Sequence, residues 1–186
     1  DPNAADTRRF LQQLLTMEGE IDEQLALSPE QQKDLAEDMK YFVNVGMDHI
    51  QAHGDSIEEV NHYSHVDRAL YQGDIMLTKE QGDEILEDIR NNENNNRTKR
   101  QAYRDWRFPN RLWSDGVFYS FYNASEDAKR VFRKAAEIWE NSTCIDFKED
   151  DQATDRIVVL NTSGCWSIIG KIGGPQDLSL GDGCET

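Results

Sequence analysis

The chain has 186 residues, of which 37% are apolar, enough for one domain or two small ones if those residues are concentrated locally. Its net charge is −16 at pH 7, and residues 1–100 carry most of the excess, with 22 acidic and 10 basic residues against 14 and 10 in residues 101–186. This acidity argues against nucleic acid and anionic membrane surfaces as partners, and no apolar run is long enough to span a bilayer.

The first quarter of the chain has the apolar spacing of amphipathic helices. Apolar residues recur at intervals of three and four from Thr7 to about Leu25, which predicts one helix. Ser28 is a good N-cap and Pro29 fits the first helical position, so a second helix should follow at once. We expect its buried stripe to consist of Leu35, Met39, Phe42 and Val43.

Two further helix starts precede residue 91. Asp55-Ser56 could cap a short third helix through Val60. Thr78 and Gln81 have the spacing of a capping box, which predicts a fourth helix ending near Ile89. Residues 1–100 are therefore expected to form helical hairpins with a thin core.

The four histidines all lie in this half and do not make a convincing metal site. His49 and His53 have the i, i+4 spacing used by zinc proteases, but Ile50 stands where such a helix carries its general base. His62 and His65 have no third ligand at a suitable spacing. All four are interpreted as surface or packing residues.

A short glycine-bearing segment, Tyr71-Gln72-Gly73-Asp74-Ile75-Met76, separates the third and fourth helices. Gly73 permits backbone angles closed to other residues, and the segment would present the carboxylate of Asp74. By its composition alone it is a Gly-Asp turn before a helix.

A basic junction separates two halves of different character. Arg97-Thr98-Lys99-Arg100 follows an asparagine-rich tract and precedes Gln101, which makes a polar and accessible segment. A processing protease could cleave after Arg100, and an ordinary solvated linker is the alternative. Because the chain starts with Asp1 rather than Met, we also expect it to begin inside a larger precursor or after a removed signal peptide.

The second half has strand, helix, strand, strand in order, which predicts an α/β or α+β layer. Val117 to Phe121 is a β-rich run, and Ser125 caps a strong helix. Two short strands follow, at Cys144 to Phe147 and Arg156 to Leu160, separated by an acidic loop that lacks calcium-site spacing. The apolar face of the helix is expected to contain Ala128, Val131, Phe132, Ala135, Ile138 and Trp139.

The last segment holds two more strands, bracketed by two of the three cysteines. A disulfide between Cys165 and Cys184 would close a loop of about 20 residues, worth on the order of 3 kcal/mol, and would leave Cys144 as the odd cysteine. Four sequons would accept glycans in an exported protein. Their asparagines are Asn96, Asn123, Asn141 and Asn161.

Together these residues resemble the astacin family of secreted zinc endopeptidases, particularly nematode members with propeptides. The similarity covers most of the second half in matching order. It rests on Leu112-Trp113, Trp139, Thr143 to Phe147, Ser163 to Ser167, Gly170 to Gly173, Leu178 to Leu180 and Gly183-Cys184. It implies an α+β fold in which a helical propeptide, residues 1–100, precedes residues 101–186, the N-terminal portion of a metzincin domain with a twisted mixed sheet and a backing helix.

The resemblance also implies roles for particular residues. Tyr71-Gln72-Gly73-Asp74 is similar to a family motif whose aspartate ligates the catalytic zinc of the proenzyme, so Asp74 would be the blocking ligand. The strand with Cys165, Trp166, Ser167 and Ile168 would be the rim that pairs with extended peptide substrate. In the family, the cysteine matching Cys144 pairs with one near the far end of the domain.

One departure from the family pattern concerns the zinc ligands themselves. The family's His-Glu-x-x-His-x-x-Gly-x-x-His helix follows the last cysteine, whereas this sequence stops at Glu185-Thr186 and has no histidine after the junction. We expect a partial proenzyme, inactive as it stands, of a zinc endopeptidase that is secreted and hydrolyses protein or peptide substrates.

Two other interpretations stay open at this stage. The chain could be a non-catalytic secreted binding or decoy fragment, which a continuation into the zinc-binding helix would dismiss. It could also be an unrelated acidic helical interaction protein, but the cysteine and tryptophan matches would then be accidental.

Overall fold

The fold is described from a computed structural model for residues 2–41, 51–91 and 109–185. In those ranges helices dominate before residue 92 and a mixed sheet dominates after residue 116, which confirms the α+β class. No helix within them is long and apolar enough to cross a membrane. The helices are α1 (Pro2–Thr16), α2 (Glu18–Leu25), α3 (Pro29–Asp38), α4 (Ile57–Tyr63), α5 (Lys79–Asn91) and α6 (Glu126–Ser142), with short 3₁₀ turns at Met39–Tyr41 and Asp67–Ala69.

The first predicted helix is divided in two at Met17. Met17 is buried, but its backbone leaves helical geometry at φ −101° and ψ 8°, and no side chain caps the start of α2. Burial of this side chain therefore coincides with the break between α1 and α2. The apolar periodicity continues across the break and does not reveal it.

Helix α3 forms as its capping residues predict, but it buries nothing. Ser28 and Gln31 make a reciprocal capping box, and Pro29 lies at the first helical position. The predicted buried stripe is wrong for Leu35 and Met39, which are 49% and 53% exposed. No other element packs over that face among the described residues, and Phe42 and Val43 lie outside them.

Among the described residues, six strands form one mixed sheet with the spatial order β1-β5-β6-β4-β2-β3. Strands β2, β3, β4 and β6 pair in parallel, whereas β5 is antiparallel to β6 and β1 is parallel to β5. The first half of the chain thus contributes an edge strand to a sheet built by the second half. The strands are β1 (Ile75–Met76), β2 (Val117–Tyr122), β3 (Phe147–Glu149), β4 (Arg156–Leu160), β5 (Cys165–Ile168) and β6 (Pro175–Leu180).

Helix α6 packs against the sheet through the N-terminal part of its apolar face. Phe132 lies 4.8 Å from the ring of Tyr119 on β2, and Ala128 and Ala136 are buried. The predicted face is wrong from Ala135 onwards: Ala135 is exposed while its neighbour Ala136 is buried, and Ile138 and Trp139 are 56% and 53% exposed. The strand expected at Cys144 begins only at Phe147, because Thr143 continues hydrogen bonding to Trp139 at the helix end.

Two apolar clusters join the helices to the far edge of the sheet. In the first, Phe10, Met17, Leu77 and Leu86 pack together and contact Ile169, just after β5. In the second, Leu70 and Met76 pack on Ile168 of β5. The core of the first half is therefore continuous with strand β5, which positions the site described below.

Candidate functional site

The outer edge of strand β5 is the place where the two halves of the chain meet. On its inner side β5 pairs with β6, with Trp166 opposite Ser179. On its outer side, Ile75 and Met76 of β1 lie opposite Ser167 and Ile168. The strand predicted to be a substrate-pairing rim is thus covered by residues of the first half.

A tight turn brings Asp74 to this edge. The turn is closed by two hydrogen bonds between Tyr71 and Ile75, 2.7 and 3.0 Å long. Gln72 and Gly73 both have positive φ, 52° and 94°, which explains the need for glycine at the second position. The main-chain oxygen of Asp74 then accepts a hydrogen bond from Ser167 N–H, 3.1 Å long.

Asp74 lines a groove between the turn and the sheet. The groove has a volume of about 300 Å³ and is lined by Ile57, Ile75 and residues of β5 and β6. Burial raises the pKa of the Asp74 carboxyl, its own main-chain N–H opposes the rise, and the negative charge of Glu58 adds to it. A carboxylate with this electrostatic environment would gain from a bound cation.

The described residues do not form a complete metal site. Within residues 2–41, 51–91 and 109–185, no group of three or more His, Cys, Asp or Glu side chains could hold a metal ion. Asp74 could therefore supply one ligand, and a zinc site would need others. His62 instead lies 3.0 Å from Asp67, and His53 packs edge-on against Tyr63, while His49 lies outside the described residues.

Asn61 of α4 is a residue of this site that the sequence analysis did not single out. Its side chain is fully buried and makes three hydrogen bonds. Nδ2 donates to the main-chain oxygens of Gly73 (2.7 Å) and Cys165 (2.9 Å), and Oδ1 accepts from Cys165 N–H (2.6 Å). A single asparagine on a short helix has no motif around it, and only the fold reveals its partners.

The other side chains of the predicted rim make contacts within the second half or with the apolar cluster beside it. Trp166 Nε1 donates to Ser163 O, and Ser167 Oγ donates to Asp177 O. Ile168 is buried on the Leu70 and Met76 cluster. Strand β5 therefore contacts the first half both through the Ile168 side chain and through its outward-facing backbone.

A disulfide joins Cys165 to Cys184 and ties the start of β5 to the segment after β6. The Cα atoms are 5.6 Å apart, and 19 positions separate the residues in sequence. Cys144 has a free thiol and is exposed. The disulfide thus anchors Cys165, whose main-chain N–H and C=O both hydrogen-bond to Asn61.

The predicted processing and glycosylation residues are spread over the surface or lie beyond the described ranges. Arg100, Gln101 and Asn96 fall within residues 92–108, which are not described. Asn123 follows β2 and Asn141 lies in the last turn of α6, and both are exposed. Asn161 is partly buried, and its side chain donates to Asp182 at 3.3 Å.

Comparison with known proteins gives the same family throughout. Residues 105–186 match the family model of astacin, a peptidase family. Zinc metalloproteinase nas-31 of Caenorhabditis elegans is 39% identical over 160 residues, which cover 84% of this chain and 25% of that protein. Zinc metalloproteinase nas-36 of Brugia malayi is 29% identical over 159 residues, covering 70% of this chain and 26% of that protein.

A solved structure is also similar in part. High choriolytic enzyme 1, a hatching enzyme zinc-protease from Oryzias latipes, is 27% identical, with a TM-score of 0.39 over 46% of each chain. The chain spans about a quarter of the length of nas-31, 25%. Residues 105–186 thus match the astacin family, and most of the chain is similar to a nematode zinc metalloproteinase.

Proposed function

We propose that this chain is the beginning of a latent, secreted zinc endopeptidase, in which residues 1–100 act as an inhibitory propeptide. Residues 101–186 would then be the N-terminal portion of its peptidase domain. The observation that carries the proposal is the occupation of the β5 edge by β1 and the Asp74 turn. Its similarity to zinc metalloproteinase nas-31 supports the reaction class.

Occupation of this edge would exclude an extended substrate. A peptide that adds to a sheet edge needs the outward N–H and C=O groups of the edge strand. Here Ser167 N–H already donates to Asp74 O, and Met76 lies opposite Ile168. Substrate and propeptide would therefore compete for the same backbone groups.

Asp74 would add a second block at the metal. A carboxylate is a competent zinc ligand, and zinc, when bound, supplies the polarisation that peptide hydrolysis requires. The described residues contribute no complete ligand set, so the other ligands and the general base are assigned to residues outside them. What this chain itself contributes is the blocking carboxylate, held at the rim by its own main-chain hydrogen bond.

Export and processing complete the proposal. Sequons at Asn96, Asn123, Asn141 and Asn161 and the Cys165–Cys184 disulfide are typical of an extracellular protein. A processing protease cutting between Arg100 and Gln101 would separate the propeptide from the sheet. The substrates would be proteins or peptides.

The test is the activity of the full-length proenzyme before processing. Asp74→Ala should raise hydrolysis of a fluorogenic peptide by the uncleaved protein at least about tenfold, because a free metal position restores the attacking water. A chelator should abolish that activity. Asp83→Ala is the matched control, since Asp83 is an exposed carboxylate of the same half that pairs with Lys79.

Three results would contradict the proposal. Activity that persists in the presence of a chelator excludes zinc catalysis. Unchanged latency in Asp74→Ala, with the same rate as Asp83→Ala, shows that Asp74 does not block the metal. A full-length protein that binds peptides but never hydrolyses them, even with Gln101 as its new N-terminus, would favour a binding or decoy role.

A further inference from the structure

We infer that Asn61 is a positioning residue for latency, which closes the first outward-facing position of β5 and sets the Asp74 turn against it. The inference rests on the proposed inhibitory role of the first half and adds a second contact that acts apart from the metal. It is carried by the three hydrogen bonds of one fully buried side chain.

The Asn61 carboxamide acts on β5 as a peptide group of a neighbouring strand would. In an antiparallel ladder, a hydrogen-bonded pair exchanges N–H and C=O with a single opposing residue. Asn61 does this with Cys165, accepting from its N–H and donating to its C=O. An incoming substrate strand would need both of these groups, so it cannot pair with Cys165 while Asn61 is in place.

Asn61 and Asp74 occupy successive outward positions on the same edge. Residues i and i+2 of a strand direct their N–H and C=O groups to the same side. The backbone groups of Cys165 and Ser167 therefore both point to the outer edge of β5. Asn61 takes the groups of Cys165, and the main-chain oxygen of Asp74 takes the N–H of Ser167. The first half thereby covers the edge without a gap.

The same side chain fixes the turn that carries Asp74. Asn61 Nδ2 also donates to the main-chain oxygen of Gly73, the residue directly before Asp74, at 2.7 Å. Both donors and the acceptor of the carboxamide are therefore used. Loss of Asn61 should free the turn from β5 as well as opening the position at Cys165.

Both halves of the chain are shaped for this contact. Ser56 and Glu59 form a capping box at the start of α4, which fixes the helix one turn before Asn61. On the sheet side, Gly164 precedes Cys165 with φ 81°, and a Cβ there would lie 2.5 Å from Asn61 Oδ1. Because Gly164 has no Cβ, the Asn61 side chain can approach closely enough to contact both the N–H and the C=O of Cys165.

Two substitutions at Asn61 separate its donors from its acceptor. Asn61→Leu keeps the approximate volume and removes all three hydrogen bonds. Asn61→Asp keeps the acceptor for Cys165 N–H and removes both donors. His62→Ala is the matched control, because His62 is the next residue of α4, and its ring contacts exposed Asp67 rather than the sheet.

The first measurement is peptide hydrolysis by the uncleaved full-length proenzyme. Both Asn61 variants should raise the rate at least about tenfold, since each loses two or more buried hydrogen bonds that exist only in the closed arrangement. The His62→Ala protein should stay at the basal rate. After processing, all variants should have the same kcat and KM, because the first half has then left.

The second measurement is amide hydrogen exchange in the 186-residue chain, which needs neither metal nor activity. Asn61→Asp should speed exchange at Ser167, whose acceptor sits on the freed turn, more than at Cys165, whose acceptor is kept. Asn61→Leu should speed both. If the Leu variant does not fold, the Asp variant and the site-resolved exchange still decide the question.

The outcomes distinguish this inference from the proposed function. If Asp74→Ala raises activity while both Asn61 variants stay latent, or if exchange at Cys165 and Ser167 is unchanged in Asn61→Asp, the role of Asn61 is overturned and the inhibitory propeptide stands. If Asp74→Ala and the Asn61 variants all leave latency unchanged, the proposed function itself has failed. Faster exchange confined to the amides of α4 would make Asn61 a structural residue only.

Discussion

Residues 28–41 and residues 51–91 belong to the same acidic half of the chain, but they are held by different forces. Helix α3 has a complete capping box and a proline at its first position, but none of its residues is buried. Residues 51–91 contain the seven-residue helix α4, the 13-residue helix α5 and a two-residue strand, and here Val60, Asn61, Leu77 and Gln81 are almost fully buried.

The difference shows that local helix signals and attachment to the fold are separate properties. The caps of α3 determine where the helix begins, and they add nothing to its docking. Residues 51–91 are attached through side chains that reach the sheet, such as Gln81, whose Nε2 donates to Ile169 O at 2.9 Å. Substitutions in the two segments should therefore have different consequences.

The largest effect is expected from Leu77→Ala. Leu77 is fully buried between Phe10 and Leu86, and truncation of such a side chain costs about 2–5 kcal/mol through lost transfer free energy and a cavity. Urea denaturation should show a lower midpoint. Hydrogen exchange should show that the Ile168 and Ile169 segment loses protection.

Leu35→Ala is the matched control for that substitution. Leu35 is 49% exposed on α3, so the same chemical change should alter the free energy of unfolding by no more than about 0.5 kcal/mol. Similar losses for the two variants would mean that α3 is packed as firmly as the docked segment, and the contrast drawn above would be wrong.

A smaller and purely local effect is expected from Ser28→Ala. Ser28 Oγ accepts from Gln31 N–H at 3.3 Å, and loss of an N-cap costs about 1 kcal/mol of helix stability. Exchange of the α3 amides should become faster. The urea midpoint and the protection of Ser167 should not change, because no buried contact depends on this helix; a shift in either would show that α3 is coupled to the sheet.

The smallest effect, dependent on pH, is expected from Asp155→Asn, in the turn before β4. Hydrogen bonding from Gly174 N–H and then from Lys171 lowers the pKa of Asp155 below its ordinary value of 3.8. The unfolded state titrates at the higher pKa, so the ionised carboxylate stabilises the fold above pH 3.8 and loses that effect as the pH falls through the folded-state pKa.

Asp155→Asn should therefore lower the free energy of unfolding by less than about 1 kcal/mol at neutral pH, because the group is close to solvent. The gap to the wild-type protein should close in strong acid. Lys171→Met supplies the comparison, since it removes the ion pair but keeps the carboxylate. A difference that persists unchanged at low pH would assign the effect to packing instead of charge.

Local signals in the sequence predicted the helix starts well. Ser28, Ser56 and the pair Thr78 and Gln81 all cap helices, because the partners of a capping side chain lie within three residues. The strands at β2, β4 and β6 were likewise identified from residues 101–186 alone. These elements depend on short-range chemistry that a single sequence displays.

Burial and long-range pairing could not be predicted in the same way. Two predicted apolar faces have helical spacing but remain exposed among the described residues. They contain Leu35 and Met39 on one helix and Ile138 and Trp139 at the end of α6. Strand β1 is two residues long, and it exists as a strand only because β5 lies beside it. Asn61 and Cys165 are 104 positions apart in sequence, so no local motif predicts their hydrogen bond.

The position of β1 has a consequence for biosynthesis as well as for the proposed inhibition. A sheet that ended at β5 would present the backbone of Cys165–Ile168 to any extended chain, including other nascent copies of itself. Because residues 51–91 are synthesised before β5 and pair with it, the sheet can fold with this edge already closed. Under the proposed function, the propeptide would thus cover the β5 edge during synthesis and folding, when it could pair with other unfolded chains, and would be removed afterwards.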